Sequence, residues 1–404
     1  MPFGNVIAQN EVKQHLVELV QHNRLSHALL FLGPEGSGVL PLALAFSQYV
    51  VCDKTSPQAS LQLDKEPSLF GNTPGPVAIS HPLPDACGVC PSCIKSQQFI
   101  HPDIHFSYPV IPKKSGDKPV STDYISEWRE FITQYPYGNA FDWLQFIGAE
   151  NKQGNITANE CNDIIRKLSL KSFESGYKIV LLWMPEYLGN EGNKLLKLIE
   201  EPPPDTLFIL VAENESSMLP TIVSRTQLIK IPLLDVKDIE TALTLRAKIS
   251  HEKASQIASI SEGNYREALQ LLQHAEEDWQ GLLREWLNAI LRTGPAAQVK
   301  WIDDVSKLGR ERQKQFLRYF NHLLEQAIRL RVMEEQQSRI PENEKDFAIR
   351  LNKIADISQQ QAIIEELDKA TYYIERNAHA KMLFHALTIK LYHIIAHKTV
   401  AVVN

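Results

Sequence analysis

The stretch that most constrains this chain is "HALLFLGPEGSGVLPLALAFSQYV", residues 27–50. An apolar run leads into the glycine-rich turn Gly33-Pro34-Glu35-Gly36-Ser37-Gly38, and an apolar helical pattern follows. A strand, a glycine loop and a helix in that order turn backbone N–H groups and a helix N-terminus toward one point, which is how a phosphate-binding loop is built. Binding the β- and γ-phosphates and magnesium also demands Lys and then Ser or Thr directly after the last glycine. Here those places hold Val39 and Leu40. Gly33, Gly36 and Gly38 therefore form a degenerate loop, with the shape of the cradle and without its charge.

Alternation of short apolar strands with helices resumes near Ile156. "TANECNDIIRKLSLKS" reads as a helix, "YKIVLLW" as a strand, "GNKLLKLIEEP" as a helix and "TLFILVA" as a strand. "SSMLPTIVSRT" reads as a short helix or turn before the last strand, "QLIKIPL". Strands that are apolar throughout imply a parallel sheet covered on both faces. A hydrolytic site would also need a carboxylate ending a second strand to position magnesium. "KIVLLWMPEYL" ends in Trp183-Met184-Pro185, and its first acid is Glu186. Both catalytic features are missing together, so no ATP hydrolysis is expected.

Two segments interrupt the pattern. Residues 53–86 are rich in proline and small polar residues and read as a loop insertion. Residues 107–155 are irregular and aromatic, with Trp128, Tyr135, Tyr137 and Trp143, and read as a second insertion packed on the surface. From Leu234 the strand signal stops. Residues 234–278 read as a small helical unit and 279–404 as a helical block, in which Phe316, Phe320, Leu323, Ala327 and Leu330 recur at helical spacing. "ATYYIERNAHAKMLFHALTIKLYHIIAHK" continues that block as a long amphipathic pattern, and Gly309 and "RIPENEK" mark breaks. The expected domains are 1–233, 234–278 and 279–404.

Of five cysteines, Cys87, Cys90 and Cys93 lie in "CGVCPSC", while Cys52 and Cys161 stand apart. An odd count with three so close suits metal ligation better than a disulfide framework. Cys161 falls within a helical pattern and reads as a core residue. The net charge of −6 argues against a protein that coats DNA through global basicity and leaves local basic patches open. No apolar run approaches a membrane span and the first residues lack a signal-peptide pattern, so a cytoplasmic protein is expected.

Taken in order, "HNRLSHALLFLGPEGSG", "CGVCPSC", "HPD", "NKLLKLIEEPP" and "LPTIVSRT" resemble the bacterial DNA polymerase III clamp-loader subunits. "SEGNYREAL" and "ERNAHAKMLFHAL" extend the resemblance over most of the chain outside the insertions. It is nearest to the delta-prime branch, a relative of the gamma and tau ATPases that has lost hydrolysis. The resemblance implies an α/β AAA+ (P-loop NTPase-like) parallel-sheet domain with a zinc module, then a helical lid and an all-α collar. It also implies a hetero-pentamer with gamma/tau-type ATPases and delta, which places a sliding clamp on primed DNA. It assigns zinc to Cys52, Cys87, Cys90 and Cys93, although the 34 residues between Cys52 and Cys87 exceed the usual spacing. Loop closure costs little more at that length, since the cost grows logarithmically. The resemblance further makes Arg225, after Ser224, an arginine finger reaching a neighbour's γ-phosphate, with Thr226 in place of the usual Cys. Arg266 falls where a lid carries a phosphate-sensing arginine. Beside a defective loop, a helix-surface ion pair is the expected use. Two other readings compete: an active gamma-type ATPase, against which Val39, Leu40, Trp183 and Met184 stand, and an independent zinc-containing nucleic-acid-binding protein, against which the acidic charge stands.

Overall fold

The computed structural model describes residues 1–55, 84–114, 116–149, 154–273, 278–332, 342–376 and 378–397. Most of the proline-rich insertion, residues 56–83, lies outside them. Two compact units divide the chain, Met1–Leu269 and Gln270–Asn404.

The first unit is built on five parallel strands: β1 (Ala28–Leu32), β2 (Ile104–Ser107), β3 (Lys178–Trp183), β4 (Thr206–Ala212) and β5 (Gln227–Lys230). Their order across the sheet is β2-β3-β4-β1-β5. β1 sits between β4 and β5, with Leu30 opposite Leu210 and Leu228. The central strands are buried on both faces, as their unbroken apolar sequences require. Leu29, Phe31, Leu181, Trp183, Ile209 and Val211 pack to one side, with the wholly buried helix Val39–Val51. Leu30, Val180, Leu182 and Leu210 pack to the other, with Ile164 and Leu168 of helix Ala158–Ser169. Cys161 is fully buried on that second side, the core position expected for it.

The aromatic segment departs from the sequence reading. Its first residue, Ser107, completes β2, and helices Ile125–Gln134 and Ala140–Phe146 follow. Trp128 and Trp143 are fully buried, ring centroids 5.3 Å apart and edge to face, with Tyr108 stacked on Trp128 at 4.1 Å. Trp128 also packs on Trp183 of β3. The segment is thus part of the core rather than a surface insertion. In helix Ile125–Gln134 the apolar residues Ile125, Trp128, Phe131 and Ile132 recur at helical spacing, a signature of core packing, while the seven residues of Ala140–Phe146 are too few to show one.

Helices Val236–Ala242, His251–Ile260 and Tyr265–Gln273 follow β5. The second unit is helical among its described residues. Trp286 stacks on Trp301 at 4.5 Å and packs on Phe316 and Phe320 of helix Arg310–Val332, which begins after Gly309. The long amphipathic pattern divides into helices Ile357–Glu375 and Ala380–His397. No helix among the described residues is long and apolar enough to cross a membrane.

Candidate functional site

The glycine loop leaves β1 and turns into helix Val39–Val51 as its sequence dictates. Gly36 and Gly38 have φ of +75° and +92°, a region closed to most side chains. Side chains of the same unit tie the loop down. The Glu35 carboxylate accepts hydrogen bonds from Asn139 Nδ2 at 2.7 Å, Asn264 Nδ2 at 3.2 Å and Arg266 Nη1 at 2.9 Å. Arg266 also grips Asp142 in a bidentate pair, Nε at 2.5 Å and Nη2 at 2.6 Å. The Tyr265 N–H donates to the Gly36 carbonyl, and a Cβ placed on Gly36 would fall 1.9 Å from Asn264 Oδ1. Tyr137 lies against Gly38, its hydroxyl accepting from the Ile7 N–H at 2.9 Å. The cavity left beside Gly36, Gly38, Val39 and Tyr137 is about 20 Å³, room for one water.

Arg266 therefore forms an ion pair, as expected, but not on a helix surface: it is 3% exposed. A permanently charged guanidinium at that depth requires compensation, and two carboxylates supply it. Those partners come from the glycine loop and from the aromatic segment, 231 and 124 residues away in sequence. Sequence spacing carries no signal for such a pairing.

Acid outnumbers base here. Burial, with Glu35 and Glu186 close by, pushes the Glu213 carboxyl at the end of β4 well above the usual carboxylate range, against the pull of Arg266. Burial also raises Glu186, although its Oε1 accepts from the Glu213 and Asn214 N–H groups at 2.7 and 2.8 Å. A raised folded-state pKa means that Glu213 stabilises the fold below its unfolded value of 4.5, a contribution lost as pH rises through the folded value. Glu213→Gln should remove that loss. In thermal melts, the Tm of the variant relative to wild type should increase steadily from pH 4 to pH 8. A difference constant with pH would show that Glu213 titrates normally.

The four cysteines come together. Cys52 directly follows helix Val39–Val51, Cys90 caps the N-terminus of helix Pro91–Gln97, and Cys93 lies in that helix's first turn. Their sulfur atoms lie within 4.8 Å of one another, Cys87 and Cys93 at 3.9 Å. A tetrahedral ion bonded to sulfur at about 2.3 Å sets its ligands about 3.8 Å apart, so the set fits such an ion. Backbone N–H groups of Cys87, Cys90 and Cys93 point at the sulfurs of Cys52, Cys87 and Cys90, each at 3.4 Å. Against the upward push of burial, the N–H groups of Val89 and Cys90 hold the Cys87 thiol at about 6, while burial raises Cys93. Four protein sulfurs leave no open position, so a metal held here would be structural. Asp85 ties the module to the N-terminal segment, accepting from the Phe3 and Gly4 N–H groups at 3.0 and 2.9 Å.

Arg225 follows the short helix Pro220–Val223, whose Ile222 is buried in the core. Its side chain is 34% exposed. Nε donates to the Glu200 carboxylate and Nη1 to the Thr221 carbonyl at 2.9 Å, while Ser224 Oγ also donates to that carbonyl, at 3.2 Å. Glu200 was not singled out by sequence, although it ends the "LLKLIE" run. The glycine loop, the cysteine module and Arg225 are three separate places on one unit.

The sequence model of the family described as DNA polymerase III, delta subunit, matches residues 8–65 and 78–235. The delta-prime subunit of DNA polymerase III from Bacillus subtilis is 25% identical over 268 residues, covering 66% of this chain and 60% of that protein. The tau subunit of the same organism is 23% identical over 332 residues, covering 80% of this chain and 46% of that protein. The chain thus spans less than two thirds of the length of either relative. Among solved structures, a DNA polymerase III gamma-subunit-related protein from Thermotoga maritima covers 95% of this chain and 99% of its own, with 15% identity and a TM-score of 0.36. Matched over more than half its length, the chain belongs to the DNA polymerase III delta-subunit family, on the delta-prime side and related to gamma and tau.

Proposed function

We propose that the chain is a non-catalytic, delta-prime-type subunit of a clamp loader. It would join gamma/tau-type ATPases and delta in a hetero-pentamer that places a sliding clamp on primed DNA. The observation that carries the non-catalytic part is the closed glycine loop. Its Glu35 is tied to Asn264 and Arg266, the cavity beside it has room for one water, and Val39 and Leu40 replace the residues that would hold phosphate and magnesium. In this reading the cysteine module holds one structural zinc ion. Arg225 acts outward, as an arginine finger on ATP bound to a neighbouring subunit, which is consistent with its exposure and its short, core-anchored helix.

Two measurements test the assignment. Magnesium-ATP titrated into the isolated chain should give no saturable heat and no turnover, and affinity capture from the source cell extract should retrieve DNA polymerase III subunits. Saturable binding with turnover that is lost on changing Gly36 would favour the gamma-type ATPase. Salt-sensitive DNA binding by the isolated chain, without loader subunits in the capture, would favour the nucleic-acid-binding reading.

A further inference from the structure

We infer that Glu200 is a positioning residue for Arg225, an inference that rests on the reading of Arg225 as a finger acting on a neighbour's ATP. The two residues lie in separate sequence stretches, "LLKLIEEPP" and "SRT", and the fold brings them into contact. An exposed arginine ordinarily samples many rotamers, and ordering it on a phosphate costs conformational entropy. Here three contacts fix the guanidinium beforehand: Nε on the Glu200 carboxylate, and Nη1 on the Thr221 carbonyl and the Ser224 hydroxyl. Nη2 has no hydrogen-bond partner among the described residues, so its two N–H groups are the ones left to meet a ligand.

The division of contacts distinguishes positioning from sequestration. A carboxylate taking both Nη groups would occupy the fork that binds phosphate. Glu200 takes the Nε side instead, and a neutral carbonyl takes Nη1. An exposed ion pair of this kind adds little to stability. Its consequence is direction: a reacting group displaced by about 1 Å can lose about a hundredfold in rate.

The test uses the assembled loader, with its own ATPase subunits, and compares wild type, Glu200→Ala, Glu200→Gln, Arg225→Ala and the double variant. Single-turnover ATP hydrolysis, nucleotide affinity and thermal melts are measured for each. Glu200→Ala should slow hydrolysis at the facing site about tenfold, with affinity and melting unchanged. Glu200→Gln keeps an oxygen for Nε and should recover most of the rate. The double variant should equal Arg225→Ala alone, because a residue acting only through the arginine has nothing left to position. Wild-type rates in Glu200→Ala beside a slow Arg225→Ala would overturn the positioning role and leave the finger standing. A wild-type rate in Arg225→Ala would remove the finger reading itself. Faster hydrolysis in Glu200→Ala would mean that the carboxylate withholds the arginine, and additive losses in the double variant would place the action of Glu200 elsewhere. Either result rejects the inference.

Discussion

Replacing Arg225 by alanine should slow ATP hydrolysis at one site of a reconstituted loader by about 10³- to 10⁵-fold. The charge that spreads over the transferring phosphoryl oxygens is stabilised by a planar, permanently charged guanidinium, and that range corresponds to about 4–7 kcal/mol of barrier. Total turnover of a ring with several sites should fall far less, since only the site facing this subunit loses its finger. The single-site effect therefore requires pre-steady-state measurement at matched assembly. Arg225→Lys should rescue poorly, because an ammonium cannot present two parallel N–H groups. Folding should be unaffected, as the side chain is partly exposed and its ion pair is a surface one. Identical time courses for wild-type and alanine rings would reduce Arg225 to a solvated surface residue.

The second large effect is expected from the cysteine module. Purified protein should carry about one equivalent of zinc, and Cys90→Ser should lose it. Structural zinc contributes about 10–16 kcal/mol to folding in zinc-finger peptides, an upper bound for a module attached to a larger core. Here helix Val39–Val51 and the sheet supply their own burial, so the loss should be local. The peptide around helix Pro91–Gln97 would loosen, and with it the hydrogen bonds of Asp85 to the N-terminal segment. Hydrogen exchange should then rise over residues 1–7 and 84–97 while β3 and β4 stay protected. Metal-free protein in which all four thiols react rapidly with a thiol reagent would end the assignment.

The sheet was legible where burial is two-sided. "TLFILVA" coincides with β4 because every residue of that strand is buried, and "YKIVLLW" covers β3 for the same reason. β2 went unread: its four residues include His105, which is only half-buried, and the run is too short to stand out from its surroundings. The aromatic segment misled because its irregular stretches hide the short helical spacing of Ile125, Trp128, Phe131 and Ile132. Packing against Trp183 put Trp128 inside. The cysteine tetrad could be assembled from sequence because three ligands are local, and the family resemblance supplied Cys52. The closure of the glycine loop could not, since Glu35, Asp142 and Arg266 meet only through the tertiary fold.

That network bears on how readily a nucleotide site could be built at this loop. Placing lysine and threonine at positions 39 and 40 would supply the charge and the magnesium ligand, yet the loop would still carry Glu35 and its three donors. Removing Glu35 alone would leave Arg266 with a single carboxylate, and removing Arg266 would leave Glu35 and Asp142 facing each other beside Glu213. Either removal alone therefore passes through a less stable protein. The network is in this sense a ratchet: its side chains support one another, and building a nucleotide site here would need several coordinated changes.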